Sequence, residues 1–255
     1  MRPAARPLLV LALLGAVACQ TVPFTNRSQL LLIPEGTELQ MGLSSYQEIL
    51  KKAQVSQDPV VNAQVERVGA RIAEATGRTD YRWEFRALED KQANAFCLPG
   101  GKVAVYTGIL PITRDDAGLA AVLGHEVAHA IARHGGERIS QQLAVQGGLV
   151  ATQTALAGRD PRTTQWVAAG LGAGATVGLL LPWSRQQESE ADHLGLIYMA
   201  RAGYHPQAAR DLWMRMASQA GARQPEFLST HPAPQTRIAQ IEAWIPEALR
   251  DYKPR

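Results

Sequence analysis

Cysteine is nearly absent from this 255-residue sequence: there are two, and Cys19 closes an N-terminal segment that reads as removable. A disulfide framework is therefore excluded. Cys97 is left to read as a packed thiol, with a Cys19–Cys97 bridge as the minor alternative. Excess charge of one sign is equally scarce. Without Arg2 and Arg6 of the removable segment, the 26 basic side chains fall to 24 against 23 acidic ones, and so balanced a chain carries no electrostatic footprint for nucleic acid. Internal repeats and low-complexity tracts are missing too, which excludes solenoids and fibres. Long apolar runs are also lacking. The sixteen residues Trp166–Leu181 include four glycines and stop at Pro182, short of the roughly 20 a spanning helix needs. That stretch is expected to be a small-residue helix packed on the core, with a membrane span as the competing reading. What remains, 46% hydrophobic and 19% charged residues, is the composition of one medium globular domain with an ample core.

The N-terminus "MRPAARPLLVLALLGAVACQ" places arginines before an apolar run from Leu8 to Val17 and small residues before Cys19, the order of a bacterial export signal. Ala16-Val17-Ala18 suits an ordinary signal peptidase. A cysteine directly after it resembles a lipobox, in which Cys19 becomes the acylated first residue, although Ala16 stands where a leucine is usual. Gln20 after it resembles the bacterial lipoproteins of the outer membrane. The expected organisation is a signal over 1–18, a Pro/Gly-punctuated tether over 19–38 and a folded domain over 39–255.

Within that domain, "YQEILKKA" and "PVVNAQVERVGARIAEATG" carry helical apolar spacing, the second stopping at Gly77. "YRWEFRALED" alternates Tyr81, Trp83, Phe85 and Ala87 with polar neighbours, as a half-buried strand does. "NAFCLPGGKVAVYTG" reads as a hairpin about Pro99-Gly100-Gly101. Thr113 with Asp116 is the expected capping pair of the next helix and Gly135-Gly136 its stop. Ser184 with Gln187 is a second expected capping box, opening a helix that Gly203 ends. Two more helices are expected around Pro206–Ala217 and Thr236–Ala248.

The first of these capped helices contains "GHEVAHAIARHGG". Residues four apart on a helix share one face about a turn apart, so His125 and His129 can offer ring nitrogens to one ion. Glu126 sits about 100° round from His125, able to lean over that ion without ligating it. Zinc held by three protein groups keeps a position for water and lowers its pKa towards about 7, and a carboxylate such as that of Glu126 can then take the proton. Chance alone produces such a pattern in on the order of 1% of chains this long, so two histidines and a glutamate on a solvated face compete with the metal reading. A third ligand tips the balance. In "QQESEADHLG", Glu188 and Asp192 share a helix face while Glu190 points about 200° from Glu188. Glu188 is then the third ligand, with Asp192 accepting a hydrogen bond from a ligating imidazole. An acidic helix start favoured by the dipole is the simpler account of Glu188 and Glu190.

"NAFCLPGGKVAVYTG", "GHEVAHAIARHGG", "SRQQESEADHLG" and "STHPAPQTRI" occur in that order between about Leu43 and Ala243. Together they resemble the gluzincin metallopeptidases that include the CAAX prenyl endopeptidase, the HtpX heat-shock membrane protease and a periplasmic or lipoprotein branch. The resemblance implies an α+β, mainly α zincin-like core with a small sheet or hairpin beside the zinc helix. It implies one zinc ion per chain on His125, His129 and Glu188, with Glu126 as general base and Asp192 behind the ligands. It makes Asn94, Ala95 and Phe96 a cleft-edge strand that binds an extended substrate backbone. His231 and Arg237 fall in a late motif near the active-site water, where they would stabilise the oxyanion, or His231 would fill the fourth zinc position in a resting state. A His-Pro turn with Arg237 in a structural ion pair is the plainer reading. His134 is expected to cap its helix's C-terminus, and His193 and His205 to be structural. The implied function is zinc-dependent endoproteolysis of unfolded or misassembled envelope proteins by a periplasm-facing lipoprotein held to the membrane through Cys19. A zinc-containing chaperone that holds such clients without cutting them is the competing class.

Overall fold

The computed structural model describes residues 19–157, 160–175, 181–218, 226–231 and 235–254. It is mainly helical with a small sheet, as expected, and its contacts group into two units. The larger contains Gly36–Ala132 and Gln187–Arg255; the smaller contains the described residues up to Glu35 and Arg133–Gln186.

The larger unit is built round helix α4 (Asp116–Ile131), in which every residue from Gly118 to Ile131 is buried. A helix with so few polar positions has to be enclosed, and this one has neighbours on several sides. Helix α2 (Pro59–Thr76), strand β4 (Ala95–Leu98), the short α3 (Leu110–Thr113) and α8 (Gln207–Ser218) all pack on it. Helix α2 has clear punctuation: Asp58 accepts from the backbone N–H of Val60 and Val61, Pro59 takes the first turn, and Gly77 ends the helix at φ +70°. Arg67 then grips Asp116 through both carboxylate oxygens, tying α2 to the start of α4.

Strand β3 (Glu84–Leu88) runs parallel to β5 (Lys102–Tyr106), and β4 pairs antiparallel with β5, giving the order β3-β5-β4. The expected hairpin about Pro99-Gly100-Gly101 is thus present, with both glycines at positive φ, where side chains strain the backbone. The strand predicted from Tyr81 starts only at Glu84; Tyr81 and Trp83 lie before it, Trp83 stacked on Phe85. Helix α1 (Glu35–Lys52) sets Tyr46 in a buried cluster with Leu88 and Ala104.

Several local expectations are corrected. Asp115, not Thr113, caps α4, its side chain accepting from Gly118 N at 2.8 Å; Thr113 is already committed to α3. The stop is not Gly135-Gly136, which lies inside α5 (His134–Ala155), but Arg133 at φ +58°. An arginine holds that left-handed conformation because its guanidinium is tied to Gln20 Oε1 at 2.7 Å and Ile33 O at 3.1 Å. His134 consequently opens a helix instead of capping a C-terminus. Ser184 and Gln187 fall inside α7 (Leu181–Arg201), whose first turn contains Pro182.

In the smaller unit β1 (Cys19–Thr21) pairs antiparallel with β2 (Ser28–Leu30), so the stretch read as a tether is partly hydrogen-bonded and its last residues enter α1. Helix α6 (Pro161–Ala175) packs on α5. Among its described side chains none is buried, and Trp166 is 79% exposed. Part of the Trp166–Leu181 stretch lies outside the described residues. Among those described, no helix is long and apolar enough to cross a membrane.

Candidate metal centre

The backbones of α4 and α7 touch where two glycines meet. A Cβ on Gly124 would lie 2.9 Å from Gly195 O, and one on Gly195 would lie 2.9 Å from His125 N. Only hydrogen fits in that gap, and the contact carries His125 and His129 up to Glu188 and Asp192, more than fifty residues further along the chain. Sequence reasoning missed both glycines; a glycine directly before the first histidine of the motif, and another within a helix, was the available signal.

Four side chains converge there. His125, His129, Glu188 and His231 are buried, and one ligand atom from each lies within 4.8 Å of all the others. His125 Nε2 lies 3.1 Å from His129 Nε2, and Glu188 lies 3.4 Å from each of those nitrogens. His231 Nδ1 is 3.2 Å from His125 Nε2 and 2.9 Å from Glu188 Oε2. A tetrahedral zinc site with bonds of about 2.0–2.1 Å has edges of roughly 3.3–3.4 Å. These separations of 2.9–3.4 Å, and a donor set of three imidazoles and a carboxylate, fit that ion.

Behind the cluster, His125 Nδ1 donates to Asp192 Oδ1 at 2.9 Å, which leaves the Nε2 lone pair facing the other donors. Asp192 in turn receives Arg237 Nε on Oδ2 and Nη2 on Oδ1, both at 2.7 Å. Arg237 Nη1 also lies 3.2 Å from Glu188 Oε2, and its guanidinium stacks over Trp213 at 4.0 Å. Trp213 and Phe227 add edge-on contacts to His125, and Phe227 lies tilted against His231. Neither aromatic was singled out by sequence reasoning, because nothing local to "DLWMRM" or "PEFLST" marks it as part of a site.

The electrostatics follow from burial against partners. Burial opposes ionisation of Glu188, but hydrogen bonds from His125, His129 and His231 outweigh it and hold the carboxyl far below the ordinary range. Burial also disfavours the Asp192 carboxylate, yet the Arg237 charge and the bonds from His125 and Arg237 keep its pKa low. For His125 the desolvation pulls downward, while Asp192 and Glu188 lift the pKa to about 9. Burial and the neighbouring Glu126 charge push the Cys97 thiol well up, so it stays protonated and unreactive.

The remaining sequence candidates divide. Glu126 is buried beside the cluster, its Oε1 3.4 Å from His231 Nε2. Glu188 is well inside α7, whose first turn contains no acidic residue, so a dipole-favoured helix start does not account for it. Asn94 precedes β4 and Ala95 and Phe96 lie in it; β4 has β5 on one side only, which makes it an edge strand. Phe227 N donates to Ala93 O at 2.9 Å, just before that edge. His193 stacks on Trp244 with Nε2 3.0 Å from Glu247 Oε2, and His205 accepts from Gln207 N. Both are apart from the metal cluster.

The family model of peptidase family M48 matches residues 59–245. The mitochondrial metalloendopeptidase OMA1 of Schizosaccharomyces pombe is 38% identical over 234 residues, covering 89% of this chain and 66% of that protein. The protein of the same name from Saccharomyces cerevisiae is 34% identical over 260 residues, 91% of this chain and 70% of that one. The β-barrel assembly-enhancing protease of Escherichia coli is 27% identical over 231 residues, 88% of this chain and 47% of that one. The chain thus spans about two thirds of the yeast proteins and under half of the bacterial one.

Proposed function

This chain belongs to peptidase family M48, the zinc metallopeptidases, and on that premise we propose that it cleaves peptide bonds within unfolded or misassembled proteins of the cell envelope. The observation that carries the reading is the four-donor cluster of His125, His129, Glu188 and His231 with Glu126 against its edge.

His125 Nε2, His129 Nε2 and the Glu188 carboxylate would hold the zinc, with His231 Nδ1 as a fourth donor at rest. Bound zinc supplies Lewis acidity towards a scissile carbonyl and lowers the pKa of a water molecule. Glu126 is the general base: it accepts the proton of the attacking water and delivers it to the departing amine. Asp192 fixes the tautomer and direction of His125, and Arg237 fixes Asp192. With its guanidinium engaged on two carboxylates and stacked on Trp213, Arg237 acts as a positioning residue and not as an oxyanion donor. His231 lies within 2.9 Å of Glu188 and 3.4 Å of Glu126, which supports reading it as a latch over the space a scissile carbonyl has to enter. The free edge of β4 at Asn94–Phe96 would take an extended substrate as an added strand, which favours unfolded clients.

The cell-envelope assignment rests on the export-like segment before Cys19, which joins arginines to an apolar run, and on acylation of Cys19. The mitochondrial names belong to the relatives, those of Arabidopsis thaliana and Bos taurus as well as the two yeasts. A zinc-holding chaperone is the second reading, favoured by the closed four-donor arrangement. Glu126 separates the two, since a holder of clients has no use for a buried base.

The experiment is release of fragments from casein by the mature chain, with zinc content measured, beside Glu126→Gln and His231→Ala. Cleavage by the wild type, a loss of about 10²–10⁴-fold in a zinc-replete Glu126→Gln, and faster cleavage by His231→Ala support the peptidase and its latch. No fragments from the wild type and none from His231→Ala, with zinc bound in both, would leave the chaperone reading standing.

A further inference from the structure

Helices α5 and α6 form a hairpin of unusual chemistry. From Ile139 to Gly158, and again from Thr163 to Ser184, the sequence contains no charged side chain; Arg159, Asp160 and Arg162 fall between the two stretches, with Arg162 in the first turn of α6. On α5 the half-buried Val145, Leu149 and Thr152, with Leu156 just past its end, follow helical spacing along one face. The opposite side presents Leu143 and Val150, 47% and 61% exposed, and α6 presents Trp166 and Val167. Uncharged glutamines and threonine, Gln142, Gln146, Gln153 and Thr154, are exposed between them on α5, so the surface offers large apolar side chains with no charge among them, and exposed apolar groups gathered in this way mark an interaction site.

The root of this hairpin is where the N-terminus is fastened. Arg27 donates from Nη1 and Nη2 to the two carboxylate oxygens of Glu137 at 2.7 and 2.8 Å. Leu32 N donates to Ser140 Oγ at 2.8 Å, and Arg133 holds Gln20. Cys19 itself pairs with Leu30 in the β1–β2 ladder. Any membrane that receives the apolar run Leu8–Val17, or an acyl group on Cys19, is therefore brought to the base of α5.

We propose that the α5–α6 hairpin lies in the lipid–water interface of the bilayer that carries the N-terminus. The lack of charge along both helices suits lipid better than a protein partner, whose interfaces have a polar, charge-bearing rim. Among the described residues neither helix is long and apolar enough to cross, and the exposed Arg162 in the first turn of α6 is at home beside phosphate headgroups and out of place in hydrocarbon. Trp166, the most exposed large apolar residue among those described in the hairpin, is the residue type that anchors at that depth.

The inference goes beyond the peptidase reading and shares with it only the membrane end of the chain, so the test removes the acyl group. A mature chain carrying Cys19→Ser is floated with vesicles of phosphatidylcholine and phosphatidylglycerol, beside the same chain with Trp166→Asp or with Leu143→Asp and Val150→Asp. Vesicle binding by the Cys19→Ser chain, weakened about tenfold or more by either variant with casein cleavage unchanged, is the expected result. A blue shift of tryptophan fluorescence on adding vesicles, lost in Trp166→Phe, is the second readout. Equal flotation of parent and variants, or none by the parent, overturns the proposal whether or not Cys19 proves to be acylated. A concentration-dependent dimer abolished by Trp166→Asp, without vesicle binding, overturns it in favour of a second copy of the chain.

Discussion

Helices α4 and α5 are separated by Ala132 and Arg133 alone, and both are rich in small and apolar residues, yet one is buried beyond its first two residues and the other only at its start. In α4 every residue from Gly118 onwards is enclosed, polar ones included; in α5 burial stops after Gln141. The difference teaches that enclosure comes from neighbours and not from composition. Helix α4 has α2, β4 and α8 against it, whereas the outer part of α5 has α6. A buried helix can then carry charged groups at perturbed pKa because partners answer each one, as Asp192 and Glu188 answer His125.

That contrast predicts a graded response to substitution. Arg237→Ala removes the cation facing Asp192 and Glu188 inside the enclosed region and is expected to cost about 3–5 kcal/mol of stability. Chemical denaturation measures it, and a cost below about 1 kcal/mol would mean that Asp192 is answered by other groups. Gly195→Ala forces α4 and α7 apart at the His125 backbone, with an expected loss of about 1–3 kcal/mol together with weaker zinc binding. Unaltered zinc affinity in that variant would separate the glycine contact from the metal centre. Asp192→Asn keeps the shape but releases the hold on His125, and zinc titration is expected to show affinity reduced by roughly 10 to 100-fold. Glu188→Ala should lose zinc while Glu190→Ala keeps it; the reverse pattern would reassign the third ligand. At the other extreme, Val150→Ser on the exposed hairpin is expected to leave stability in detergent-free buffer within about 0.5 kcal/mol of the parent. A loss as large as that of Gly195→Ala would show α5 to be enclosed after all, which would end the contrast.

How far these two regions could be read beforehand differs as well. For the metal centre, spacing sufficed to put His125 and His129 on one face and Glu188 and Asp192 on another, because a turn of helix is a local property. Helix ends were legible where one residue decides them, as Asp58 and Gly77 do for α2. They were misread where a distant partner decides: Arg133 breaks the chain only because Gln20 and Ile33 hold its guanidinium. The hairpin's chemistry was visible as a charge-free stretch, but its exposure was not, since the same residues would serve a packed helix.

The sequence by itself determined the donor types, their order along the chain and the two helical faces that present them, since helix periodicity is set by hydrogen bonds four residues apart. Tertiary structure alone decided that Gly124 meets Gly195, that His231 reaches both Glu188 and Glu126, and that Arg237 rests between Asp192 and Trp213. Each of those joins residues brought together by packing, and no local pattern encodes which distant neighbour a buried side chain will meet.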